Sequence, residues 1–206
     1  MQNRLVELLR KQNTTIQIWG RPGTYKTTLL LQVIRQMIKK GARVYLLDIS
    51  GNFPILRLQL QKRLLEKVVV FHPKTIEEEA LALDDLAFTR IPSNSILLID
   101  DIFRRARRKS PEQGYFPSLI LTLIKNLAKI LKFPVLITNQ ARGSIKTDSV
   151  YPLFHELVLN YLDWHVLFEK EKGTNILRVS IFEKDQYLSQ QEYSIDSSGL
   201  IEGIDF

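Results

Sequence analysis

The sequence predicts an α/β protein: a mainly parallel sheet flanked by helices, with a β-rich extension of that sheet towards the C-terminus. Two observations carry this. From Thr15 to Thr138 short apolar runs alternate strictly with segments of helical period, and beyond Trp164 the pattern changes to short strands separated by turn residues. A third sets the scale: at 206 residues, 45% hydrophobic and 25% charged, the chain can build one sizeable core, so a single domain over 1–206 is expected.

Arg4 to Lys11 carries Leu5, Leu8 and Leu9 at helical spacing, which predicts a short N-terminal helix within residues 1–13. Thr15-Ile16-Gln17-Ile18-Trp19 is an apolar strand. Leu29 to Ile38 is helical and ends at Gly41, and Val44 to Asp48 is a buried strand. A helix across Ile55 to Leu65, a strand at Lys67 to Phe71 and a helix from Thr75 to Phe88 follow. Ile96 to Ile99 is a strand ending in Asp100-Asp101; the helix Leu119 to Leu131 leads to the strand Val135 to Thr138. The last third, residues 164–201, reads as strands at His165 to Phe168, Ile176 to Phe182 and Glu192 to Ile195, with Gly173-Thr174-Asn175 as a hairpin turn.

With no cysteine, disulfides and thiolate metal sites are excluded and a reducing, cytoplasmic setting is expected. The N-terminus lacks the apolar core of a signal peptide, and no apolar run approaches the roughly 18 residues of a membrane helix, so no membrane association is expected. The formal charge of +7 favours acidic partners. Acidic residues gather at Glu77, Glu78, Glu79, Asp84 and Asp85; basic ones gather at Arg104, Arg105, Arg107, Arg108 and Lys109.

The densest chemical signal is Gly20-Arg21-Pro22-Gly23-Thr24-Tyr25-Lys26-Thr27-Thr28, between strand and helix. A loop in that position turns backbone N–H groups and the positive end of a helix dipole towards phosphates. Lys26 adds a charge near the outer phosphates and Thr27 a hydroxyl for Mg²⁺. The spacing matches Gly-x-x-x-x-Gly-Lys-Thr except that Tyr25 stands at the second glycine, where a positive φ would cost about 1 kcal/mol or more. Asp100, at the end of an apolar strand, is the matching Mg²⁺-water ligand; the bland alternative makes Asp100 or Asp101 a helix cap. ATP and Mg²⁺ are the cofactors expected. His72, His155 and His165 have no ligand spacing and read as structural.

From about Thr15 to Ile201 the chain resembles the RecA/RadA recombinase superfamily, and within it the archaeal RadB-like paralogues that consist of the ATPase core. The residues that carry this are the phosphate loop, Asp48-Ile49-Ser50-Gly51-Asn52-Phe53, the Asp100 strand, Thr138-Asn139-Gln140 and the final β segments. The resemblance implies a RecA-like ATPase fold and a glutamate that polarises the attacking water, a position filled here by Ser50. Serine is a poor base, so hydrolysis is expected to be lower by about 10²–10⁴-fold unless Asp48 or Asp101 takes over. Many relatives carry a Lys-x-Arg near a neighbour's phosphates, whereas Lys184-Asp185-Gln186 keeps only the lysine.

Arg57 matches an arginine that stacks on adenine in the family, or is an exposed helix arginine. Gln140 resembles a phosphate-sensing glutamine, or is a polar strand end. Arg104 to Lys109 with Tyr115 and Phe116 resembles a first DNA loop, and Arg142 to Lys146 a second: cations for phosphates and aromatics for bases. A solvated basic loop, or an acidic protein partner, is the alternative.

The expected function is an ATP-binding RecA/RadA paralogue that binds DNA, single strands favoured, with weak ATPase, and assists recombination or repair. A RadA-type recombinase is a candidate protein partner. Two other readings stand beside it: a non-hydrolysing partner protein stabilised by nucleotide, and a KaiC-like or AAA+ ATPase, for which a loader requires a helical lid after Trp164.

Overall fold

The computed structural model describes residues 4–58, 61–106, 115–143, 150–197 and 199–204. One sheet runs through them in the order β3-β2-β4-β5-β1-β7-β8-β9. Its parallel part comprises β3 (Val68–Phe71), β2 (Arg43–Asp48), β4 (Ser95–Asp100), β5 (Val135–Gly143), β1 (Thr15–Gly20) and β7 (Trp164–Lys170). Then β8 (Ile176–Glu183) and β9 (Gln186–Ser194) continue it antiparallel, as the β-rich extension requires. A short β6 (Val150–Pro152) pairs antiparallel with the far end of β5.

Every residue of β1 and of β4 is buried, which is why both read as near-continuous apolar runs. The helices are α1 (Arg4–Leu9), α2 (Lys26–Lys39), α3 (Lys62–Leu65), α4 (Ile76–Phe88), α5 (Tyr115–Leu131) and α6 (His155–Tyr161). On one face of the sheet, Ile16, Ile18, Leu136, Val166 and Phe168 pack with α1, with α2 and with Tyr193, Ile195, Ile201 and Ile204 of the C-terminal segment. On the other face, Leu47, Leu97, Ile99, Val135 and Ile137 pack with α4, α5 and α6. Thr75 caps α4, its hydroxyl accepting the Glu78 N–H at 3.1 Å.

The sequence reading departs from this fold in four places. The helix expected over Ile55 to Leu65 is a 3₁₀ turn at Ile55–Leu58 and the separate α3, because Phe53 and Pro54 start the segment with tight turns: the Ile55 N–H donates to Phe53 O and the Arg57 N–H to Pro54 O. Both β6 and α6 were absent from it. The last strand begins at Gln186 rather than Glu192, after a tight turn at Lys184-Asp185. And β5 extends past Thr138 to Gly143.

Two carboxyl and imidazole groups lie deep in the second face. Glu79 of α4 is 1% exposed, and among the described residues neither carboxyl oxygen has a hydrogen-bond partner; burial pushes its pKa up to about 8, opposed by the nearby Arg105 charge. His165 of β7 faces Gln17 of β1, Nδ1 lying 3.0 Å from Oε1; burial, then the nearby His155, lowers its pKa to about 4.

Candidate functional site

Parallel pairing sets the carboxyl ends of β1, β4 and β5 side by side, and the loops leaving them enclose a cavity of about 450 Å³. Its walls include Pro22 to Thr28 after β1, Ser50 and Asn52 after β2, Asp100, Asp101 and Arg104 after β4, and Thr138 and Gln140 of β5.

The turn after β1 is held open by its own residues. Gly20 admits no side chain: a Cβ there would meet Phe168 O at 2.3 Å and Thr24 Oγ1 at 2.7 Å. The Thr24 hydroxyl donates to Arg21 O at 2.9 Å, and the Lys26 ammonium donates to Gly20 O and Arg21 O, each at 2.9 Å. Tyr25 adopts φ 63°, ψ 16°, the left-handed conformation that glycine would take without strain. Its ring packs against the core of the first face, with Lys170 Nζ 5.4 Å from the ring centroid. The Leu29 N–H donates to Tyr25 O, so α2 starts directly at this residue and its first turn faces the cavity.

Opposite, Asp100 Oδ1 accepts from Thr138 Oγ1 at 2.8 Å and lies 3.4 Å from the donating Thr27 hydroxyl. Burial raises the Asp100 pKa to about 6; the Thr138 hydrogen bond opposes the rise, and the Asp101 and Asp48 carboxylates add to it. A hydroxyl and a carboxylate side by side suit a hard divalent cation such as Mg²⁺, which takes its remaining ligands from water and phosphate oxygens. The crowding of carboxylates at Asp100 favours a cation for the same reason. Asp101 is left-handed at φ 60°, its N–H donating to Thr138 Oγ1 at 2.7 Å. Its Oδ2 accepts from Gln140 Nε2 at 3.2 Å and pairs with Arg104 Nη1 at 3.7 Å.

The molecule's likeness to known proteins agrees with this architecture. A crystal structure of the RadB recombinase superposes with a TM-score of 0.76 over 96% of this chain and 95% of that one, at 20% identity, and so shares the fold. In sequence, "DNA repair and recombination protein RadB" of Methanococcus maripaludis strain C5 is 28% identical over 203 residues, covering 91% of each chain; its counterpart from Methanococcoides burtonii is 23% identical over 183 residues. In sequence and in fold the chain resembles the RadB proteins of the RecA/RadA superfamily. Protein RecA of Ureaplasma parvum is 31% identical over 145 residues, 64% of this chain and 42% of that one. No protein-family model matches the sequence.

Within this RadB-like fold the expected nucleotide loop, Thr27, Asp100, Asp101 and Gln140 come together around one cavity, with Gly20 and Arg21 forming the base of its loop. Three expectations change. Asp48 does not line the cavity: it is 1% exposed and its oxygens accept from Ser50 Oγ, the Gly51 N–H and the Phe53 N–H at 2.8–2.9 Å, with His72 Nδ1 at 3.3 Å. These bonds fold the loop that carries Ser50. Arg105 turns inward and donates from Nη2 to Ile49 O and Pro73 O. Arg104 enters the cavity wall.

Arg57 is exposed on its 3₁₀ turn and is not among the lining residues. Tyr115, 69% exposed, stands at the start of α5 with the Phe116 ring 6.3 Å away, and Arg142 is exposed on β5. Arg107, Arg108, Lys109 and Lys146 lie outside the described residues. Residue reading missed Tyr151, which β6 sets opposite Arg142, an aromatic beside a cation that only the strand pairing reveals. It also missed Thr138 and Asn52 as cavity residues, although Thr138 stood next to the Gln140 that it singled out.

Proposed function

We propose that this chain binds ATP with Mg²⁺ in the cavity at the ends of β1 and β4. Through exposed residues that include Tyr115, Arg142 and Tyr151, it engages DNA, single strands favoured, to assist homologous recombination or repair. The observation that carries the reading is the approach of Thr27 and Asp100, 3.4 Å apart, beside a loop whose Lys26 ammonium is seated on the backbone, all within a RadB-like chain. The relatives named for DNA repair and recombination supply the process; exposed cations and aromatics suit a single strand. A cytoplasmic location and a RadA-type recombinase as protein partner belong to the same proposal. Strands β7 to β9 occupy the place where a loader would carry its helical lid, which counts against the AAA+ alternative.

A second reading is favoured by the Ser50–Asp48 hydrogen bond. Ser50, at the position of the family's glutamate, spends its proton on Asp48, so the protein serves as a nucleotide-stabilised partner with near-zero turnover. ATP binding, ATP hydrolysis and single-stranded DNA binding, measured on one sample across a salt series, separate the two. Slow hydrolysis with salt-sensitive DNA binding supports the first reading; ATP binding without DNA affinity supports the second. Unchanged ATP affinity in Lys26→Ala overturns both.

A further inference from the structure

Arg104 belongs in sequence to a basic strip, yet its side chain is part of the cavity wall together with Lys26, Thr27 and Asp100. A turn closed by the Arg104 N–H on Asp101 O at 2.9 Å brings it back, and Nη1 then pairs with Asp101 Oδ2 at 3.7 Å. The neighbouring Arg105 points the other way, onto the Ile49 and Pro73 carbonyls, so the two arginines are separated by function as well as by direction.

We propose that Arg104 is a terminal-phosphate ligand supplied within the same chain, its guanidinium exchanging Asp101 for the γ-phosphate oxygens of a nucleoside triphosphate. This rests on the reading of the cavity as a nucleotide site. A carboxylate and a phosphate present similar paired oxygens to a guanidinium fork, so the exchange preserves the geometry of the pair. The Arg104 side chain is 42% exposed and held at 3.7 Å, a loose contact that it can leave, whereas Asp101 is 9% exposed and fixed by Thr138 and Gln140. Arg104 lines the same cavity as Thr27 and Asp100, the pair that would hold a cation and, with it, the outermost phosphate, while the turn from Pro22 to Thr28 would take the inner phosphates. Lys184, by contrast, lies on the exposed β8–β9 turn and is not among the cavity's lining residues. Discrimination of triphosphate from diphosphate therefore needs no arginine from a neighbouring subunit.

The test is calorimetric titration of the full chain with the non-hydrolysable analogue AMP-PNP and with ADP, each with Mg²⁺, for wild type, Arg104→Ala and Arg104→Lys. Loss of a charge-assisted contact predicts that Arg104→Ala weakens AMP-PNP binding by roughly ten- to a hundredfold and leaves ADP affinity unchanged. The lysine variant falls between, retaining charge without the fork, and keeps the test valid if the alanine variant melts early. Equal losses for both ligands, or no loss for either, overturn the role of Arg104 while leaving the nucleotide site standing. A wild-type chain that binds neither ligand overturns the nucleotide reading itself, and this inference with it.

Discussion

Thr138 and Asp100 are joined by a hydroxyl that donates to Oδ1 at 2.8 Å, and the same Thr138 oxygen accepts the Asp101 N–H at 2.7 Å. One side chain of β5 thus sets both carboxylates at the end of β4, including the left-handed backbone of Asp101. Thr138→Val keeps the shape and removes both bonds. The expected loss is about 1–3 kcal/mol in urea denaturation, together with weaker Mg²⁺-dependent nucleotide binding. An unchanged midpoint would show that water replaces the hydroxyl at no cost.

Tyr25 offers a clean separation of backbone from side chain. Tyr25→Ala and Tyr25→Gly both remove the ring and its packing, but only alanine keeps a Cβ at φ 63°. The glycine variant is therefore expected to be the more stable of the two by about 1 kcal/mol. Equal melting of the pair would mean that the loop relaxes out of the left-handed region once the ring is gone.

Stability should fall towards both ends of the pH scale. Burial raises the Glu79 pKa to about 8 in the folded chain, against an ordinary value of 4.5. Between those values the folded state holds a proton that the unfolded state has lost, so stability declines as pH rises from about 4.5 to about 8. His165 works in the opposite sense: about 4 when folded against 6.5 otherwise, so the unfolded chain gains the proton first and stability declines as pH falls through that window. Urea denaturation across the range should show Glu79→Gln flattening the alkaline decline and His165→Gln the acid one. A Glu79→Gln profile parallel to wild type above pH 4.5 would exclude a buried neutral carboxyl.

Ser50 borders the cavity, and Asp48 beneath it is committed to the loop. On the proposed reading, Ser50→Glu restores a carboxylate at the position that would orient water, and turnover is expected to rise by as much as about 10²-fold in a steady-state phosphate-release assay. No gain, with ATP affinity retained, would point to Tyr25 or to a residue from another protein as the limiting element.

The parallel half of the fold was legible because burial on both faces writes continuous apolar runs such as Ile96 to Ile99, and the loop after β1 because its chemistry is local in sequence. The edge strand β9 was misjudged at its start for the converse reason. Of its residues only Tyr193 is buried, so Ser189-Gln190-Gln191-Glu192 carries no alternation to read. The directions of Asp48 and Arg105 were not legible, because residue type announces a charge but not the way in which it turns. What decides both is the backbone of a neighbouring segment: the N–H groups of Gly51 and Phe53 for one, the carbonyls of Ile49 and Pro73 for the other. The short α6 depends on packing of Val158 and Leu162 against the sheet face, a tertiary cause invisible to propensity.

The Lys26 ammonium, seated on the carbonyls of Gly20 and Arg21, makes the turn after β1 its own template. On the proposed nucleotide reading, a phosphate arriving there meets a positive charge already positioned and a backbone already ordered, so recognition is preorganised: the entropy of shaping the turn is lost during folding rather than at each encounter. Affinity at this turn is thus coupled to the stability of the chain, and substitutions far from the cavity that loosen β1 against β7 will register first as weaker binding.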